Sequence, residues 1–298
     1  MADLALLSAC AGLYSVPMYA LIQLRAQPTH RARIIAANNI LNALFMICSA
    51  VIAGALLQSG MTIPGVFLVV AIANALVAGY IFLLVPEYLL RFIAWIMSHL
   101  VYRFKVTGEQ HIPVEGAALL VSNHVSFVDA ILLMAASPRP IHFVMDQRIF
   151  RFPVLGALFR LVKAIPVATR AEDEAAYSAA FERAAQVLRN GDLLLIFPEG
   201  GLTRDGNIMP FKGGVMKILQ RARQDGVHVP VVPMALTNLW GSFFSRIERV
   251  DGEQLAMVKP FRRGLWSRVG LNIGAPITQA GMTPEIMREQ VMALHDHP

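Results

Sequence analysis

Residues 123 to 129 read NHVSFVD, which places an imidazole and a carboxylate five positions apart, directly behind the apolar run GAALLVS. A carboxylate that reaches one ring nitrogen of a histidine fixes its tautomer and leaves the other nitrogen free to take a proton, which is general-base chemistry. His124 and Asp129 are therefore the candidate catalytic pair. A structural reading stands beside this one. Ser126 as the N-cap of a helix, with Asp129 three residues later, makes an acidic variant of the capping box and leaves His124 an ordinary loop residue. The two readings are compatible, because a cap would itself hold the carboxylate in place. A second unusual stretch, FPEGGLTRDG at 197 to 206, follows the run DLLLI and offers Glu199 with glycines at 200, 201 and 206, which let backbone approach a ligand. Its plainer reading is a solvated turn.

The elements that must position these residues alternate along the chain. From residue 106 onward the β-type runs GAALLVS, PIHFVM, AIPVA, DLLLIFP, VPVVPMAL and RVGLNIG are separated by the helical patterns DAILLMAA, EAAYSAAFERAAQVLRN and GGVMKILQRARQ. That order predicts an α/β domain, a mixed sheet flanked by helices, over 106–298. Both motifs fall where a strand gives way to a loop, and strand ends of α/β sheets are where ligands bind.

Residues 1 to 85 differ sharply. They carry only Asp3, Arg25, Arg31 and Arg33 as formal charges, in a chain that is 56% hydrophobic and 15% charged with mean hydropathy +0.53. Segments 4–24, 34–57 and 65–85 are each long enough to cross a hydrocarbon core of about 30 Å. Three transmembrane helices are expected, an all-α region ahead of the α/β domain. The connection RAQPTHRAR is basic and QSGMTIPG is uncharged, so the positive-inside rule places the first connection and the carboxyl-terminal domain in the cytoplasm. The start MADLAL lacks the basic segment that opens a signal peptide. Asn38, Asn39 and Asn42 inside the second span are expected to face other helices. Residues 86–105, with Trp95, Tyr102, Arg103 and Lys105, suit an interfacial amphipathic helix. The net charge of +6 is not gathered into a nucleic-acid-binding motif, so anionic lipid or an acidic carrier protein is the expected partner. Cys10 and Cys48 both lie in apolar segments and imply neither a disulfide framework nor a metal site.

NHVSFVD resembles the N-H-x-x-x-x-D motif of the glycerolipid acyltransferases, the lysophosphatidate and lysophospholipid acyltransferase superfamily. FPEGGLTR resembles their F-P-E-G-T-R block, while AIPVATR and VPVVPMAL fit the looser second and fourth blocks in order. The resemblance covers about residues 105 to 275. It implies transfer of an acyl group from a thioester, acyl-CoA or acyl carrier protein, to the free hydroxyl of a lysophospholipid, with no metal or further cofactor. His124 and Asp129 become the base and its orienting acid, and Asn123, Ser126, Glu199, Gly200, Thr203, Arg204 and Arg170 become the substrate-binding set. Two departures stand out. The third block is longer than the common form, which puts Thr203 and Arg204 two positions later. In the second block Ala168 and Thr169 precede Arg170, which leaves Arg170 and Lys163 as alternative phosphate ligands.

LYSVPMYALIQ and RARIIAANNILNALFM resemble the late helices of a major facilitator lysophospholipid transporter of the kind fused to an acyltransferase, which implies a transporter-like remnant serving as a membrane anchor. The expected whole is an integral membrane acyltransferase, on the cytoplasmic side of a bacterial inner membrane, acting on lysophosphatidate or lysophosphatidylethanolamine. The competing expectation is a lysolipid transporter fragment with a regulatory carboxyl-terminal domain. Lys212, ahead of the helical run GGVMKILQRARQ, is read as solvated, although it could meet an anion at that helix's start.

Overall fold

The computed structural model describes residues 2–27, 29–84, 86–152, 156, 159–160, 162–169, 172–223, 226, 228–242, 244, 246–248, 255–257, 266–278 and 281–296. The chain divides into two compact units, Met1–Tyr80 and Ile81–Pro298.

The first unit holds α1 (Ala2–Arg25), α2 (Arg31–Gln58) and most of α3 (Ile63–Leu84). Neither α2 nor α3 buries a residue, and both are long and apolar enough to cross a membrane. The first expected span lies within α1, where the apolar segment among the described residues is the shorter Asp3–Gly12. Asn42 Nδ2 donates to the Tyr19 hydroxyl at 2.8 Å, the helix-to-helix partner that an amide in an apolar span requires.

In the second unit, α4 (Pro86–Val101) buries Ala94 and Ser98 and leaves Phe92, Ile93, Trp95, Met97 and Leu100 exposed. The expected helix over 86–105 is too long by four residues, because Tyr102–Thr107 forms strand β1. The run YRFKVT alternates, with Tyr102 buried and Arg103 and Lys105 exposed, and it pairs in parallel with the distant strand β9 (Ser267–Ile273). That long-range pairing, invisible locally, decides against continuation of the helix.

β2 (Ala118–Ser122), β3 (Ile141–Asp146), β4 (Ile165–Val167), β5 (Leu193–Ile196) and β6 (Val231–Thr237) complete a seven-stranded sheet in the order β1-β9-β6-β2-β5-β3-β4. Every pairing is parallel except β6 with β9, so the sheet is mixed, as expected. A separate hairpin joins β7 (Arg246–Glu248) to β8 (Leu255–Met257).

Alternation along β2 feeds two cores. Leu119 and Val121 pack with Phe181, Ala184 and Leu188 of α6 (Glu174–Arg189), with Val215 and Ile218 of α7 (Gly214–Arg223), and with Met287 and Val291 of α8 (Pro284–Asp296). Ala118 and Leu120 join Leu132 and Leu133 of α5 (Asp129–Ala136) on the opposite side. Both faces of β2 are thus closed to water, and each buried Leu or Val contributes about 2 kcal/mol. β2 and β5 are adjacent and parallel, so the loops that follow them leave from the same edge. Those loops carry the two motifs.

Candidate active site

His124 lies two residues beyond β2, and its Nδ1 is 2.8 Å from Oδ2 of Asp129. Asp129 is fully buried, and the same Oδ2 accepts from the backbone N–H groups of Val125 at 2.6 Å and Ser126 at 2.9 Å. These donors tie the carboxylate's position to the loop that carries the histidine. The regular helix begins at Asp129, and the expected capping box stands just ahead of it: Asp129 Oδ2 accepts from Ser126 N at 2.9 Å, and Ser126 Oγ accepts from Val128 N at 3.4 Å while donating to the Phe244 carbonyl at 2.7 Å. The same carboxylate oxygen thus serves both the cap and His124.

The imidazole stacks on Phe197, with ring centroids 4.1 Å apart and planes 13° apart. Its side chain is 23% exposed, and Nε2 has no hydrogen-bond partner among the described residues. A histidine held at Nδ1, supported on one face and open at Nε2 is arranged to accept a proton from an incoming group.

The FPEGGLT loop pins the backbone of His124 at both ends. Glu199 Oε1 accepts from His124 N at 2.8 Å, and Thr203 N donates to the His124 carbonyl at 2.9 Å. Glu199 Oε2 accepts from Met209 N at 3.1 Å, so both carboxylate oxygens are used inside the chain. Burial pushes the Glu199 carboxyl up to about 7, against the two backbone donors that favour its charge, and the nearby Asp129 adds to the rise. Thr203 is buried, and its hydroxyl donates to the Asn207 carbonyl at 2.7 Å. Asn123, also buried, pairs with the backbone of Leu236 on β6 through both ends of its amide, at 3.0 Å and 2.8 Å.

Of the expected substrate-binding set, Asn123, Ser126, Glu199, Gly200 and Thr203 gather around His124, but their polar groups bond within the chain, Gly200 through its N–H to the Phe197 carbonyl at 3.1 Å. Arg204 is exposed and makes no hydrogen bond or ion pair among the described residues. Arg170 lies outside the described residues. Lys163 Nζ is 2.7 Å from Glu87 Oε1, which turns it to a partner on α4. Lys212, read from sequence as merely solvated, comes instead to the site loop. Gly200 is left-handed at φ +67°, and a Cβ there would lie 2.5 Å from Lys212 Nζ, so the ammonium rests against the loop where only glycine leaves room. Phe197 was also missed as a site residue. Its position immediately after an apolar strand, beside Glu199, was the available signal. Across the site Tyr102 keeps its proton to higher pH, first because it is buried and further because of the Asp129 charge.

Residues 103–237 match the family model described as Acyltransferase. A 1-acyl-sn-glycerol-3-phosphate acyltransferase of Limnanthes douglasii is 32% identical over 133 residues, which is 45% of this chain and 44% of that protein. One from Borreliella burgdorferi is 28% identical over 142 residues, 48% of this chain and 54% of its own. The chain spans about half the length of these curated relatives. Among solved structures, the crystal structure of the 1-acyl-sn-glycerophosphate acyltransferase PlsC from Thermotoga maritima superposes with a TM-score of 0.53 at 19% identity, covering 70% of this chain and 77% of that one. That likeness is one of fold.

Proposed function

We propose that the acyltransferase domain over residues 103–237 transfers a fatty acyl group from a thioester to the free hydroxyl of a membrane lysophospholipid. The observation that carries this reading is His124, bonded at Nδ1 to a buried carboxylate and open at Nε2. The acceptor hydroxyl donates to Nε2 and gives up its proton as its oxygen attacks the thioester carbonyl. The tetrahedral adduct collapses with cleavage of the carbon–sulfur bond, and the imidazolium returns the proton to the departing thiolate. Asp129 holds the ring and supports the imidazolium while it exists. No acyl-enzyme forms and no metal takes part.

The acceptor is lysophosphatidate or lysophosphatidylethanolamine. Lys212, against Gly200, and Arg204, exposed in the same loop, supply positive charge for its phosphate. The donor is acyl-CoA or acyl carrier protein. Residues 1–85, with their transporter-like helices, anchor the chain in a bacterial inner membrane. The exposed apolar face of α4 rests at the interface and keeps the catalytic domain on the cytoplasmic side.

Purified full-length chain in nanodiscs, given a panel of lysophospholipids with each donor, tests this by mass spectrometry of the products. The reading predicts one acylated phospholipid formed in preference to the others. Folded protein that acylates none of the acceptors with either donor contradicts it.

A further inference from the structure

At the β1 edge of the sheet a second set of polar groups faces one way. β1 and β9 run in register, Arg103 beside Arg268 and Lys105 beside Gly270, so Arg103, Lys105 and Arg268 project from one face. All three are exposed and bordered by a groove of about 620 Å³ whose lining contains no acidic residue. No ion pair neutralises them among the described residues.

Trp266 stands at the mouth of this groove. It is 58% exposed and left-handed at φ +70°, a conformation that costs a non-glycine residue on the order of 1 kcal/mol. It is nevertheless held firmly, because its backbone N–H donates to the Val101 carbonyl at 2.7 Å and its indole Nε1 to the Leu100 carbonyl at 2.6 Å. With both donors used and the Arg103 guanidinium over one side of the ring, what the residue still offers a ligand is the opposite ring face. The Arg103 guanidinium lies 6.0 Å from the ring centroid. A flat aromatic face beside three unneutralised cations suits a molecule that joins an aromatic base to phosphates.

The groove also lies on the catalytic edge. Thr237, at the end of β6, pairs with Gly270 of β9, and the preceding residue, Leu236, is the one that Asn123 holds beside His124. From β2 to β1 is three strand spacings, about 14 Å. An extended pantetheine arm spans that separation.

We propose that the β1–β9 groove binds the nucleotide end of a coenzyme A thioester, with its adenine on Trp266 and its phosphates against Arg103, Lys105 and Arg268. This rests on the acyl-transfer reading above and selects the coenzyme over the carrier protein as donor.

Calorimetric titration of the purified full chain with coenzyme A itself tests the groove without depending on turnover. Trp266→Gly keeps the left-handed backbone and removes the ring, and Arg268→Ala removes one exposed cation. Each is expected to weaken coenzyme A binding about tenfold. The ratio of kcat/KM for acyl-CoA to that for acyl-pantetheine, which lacks the nucleotide, should fall by the same factor. Equal binding by wild type and both variants overturns the proposal, as does a wild type that binds no coenzyme A. Variants that lose activity only in nanodiscs of anionic lipid, with coenzyme A affinity unchanged, would make the groove a headgroup contact and overturn it as well. A wild type that binds coenzyme A through the groove yet acylates no lysolipid would refute the acyl-transfer reading and not the groove.

Discussion

The Phe197 ring lies against the imidazole of His124 with centroids 4.1 Å apart and planes only 13° apart. Phe197 follows β5 directly and His124 follows β2 by two residues, so the stack joins the ends of two adjacent parallel strands. Together with the bond from Nδ1 to Asp129, it sets the plane in which Nε2 can meet a hydroxyl. Phe197→Leu keeps an apolar side chain and removes the flat support. It should lower kcat about tenfold, the scale of one aromatic pair, with KM little changed. Steady-state kinetics on a folded variant decides, and an unchanged kcat would show that the stack is incidental.

Glu199 acts through the backbone of the base. Its two oxygens join His124 N to Met209 N, and burial holds its carboxyl up to about 7. Because the folded state keeps this proton to higher pH than the unfolded state, the group's contribution to stability is full below its ordinary value of 4.5 and is lost as pH rises through about 7. In Glu199→Gln that dependence disappears, and the new NH2 faces the Met209 N–H or the His124 N–H. The variant should therefore melt below wild type, with the gap largest near pH 5 and shrinking by about 1 kcal/mol per pH unit toward pH 7. A gap independent of pH would count against the raised carboxyl.

Asp129→Asn separates charge from geometry. An asparagine oxygen can accept from the same three donors as Oδ2, while its NH2 takes the place of Oδ1, which has no partner among the described residues. The loop should hold and the support for the imidazolium should go. We expect kcat to fall about 100-fold with only a modest loss of melting temperature. Turnover near the wild-type rate would contradict the role given to the carboxylate.

Asn123 is expected to be structural despite standing next to the base, because its amide completes a backbone-like pair with Leu236. Asn123→Ala leaves the buried N–H and C=O of Leu236 without partners and should cost about 2–3 kcal/mol. Thermal unfolding would register that loss. An unaltered melting temperature with a raised acceptor KM would return Asn123 to the substrate.

What could be read from the chain alone follows from which interactions are local. DAILLMAA is α5 to the residue, and EAAYSAAFERAAQVLRN differs from α6 by a single residue at its end, because apolar stripes of helical period need no knowledge of distant chain. The buried strands were equally plain as short apolar runs. β1 was missed since YRFKVT continues an amphipathic helix in sequence and becomes a strand only through β9. The helix α8 was also missed, although its pattern buries Met287 and Val291 four apart. At the site, the spacing of His124 and Asp129 anticipated their contact, while the roles expected of them came from the resemblance to the acyltransferase motifs. The partners of Glu199, Asn123 and Ser126 are backbone groups on distant segments of the chain, which no motif encodes. Lys212 and Phe197 join the site through the folded course of the loop after β5.

The measurement that bears most directly on the central claim is kcat/KM for acyl transfer by His124→Ala beside wild type, in the same nanodiscs and with the preferred lysolipid. Loss of a positioned general base predicts a fall of about 10²–10⁴-fold in a protein that still folds and still binds its donor. Turnover within a fewfold of wild type would contradict the account and leave NHVSFVD as the start of a helix.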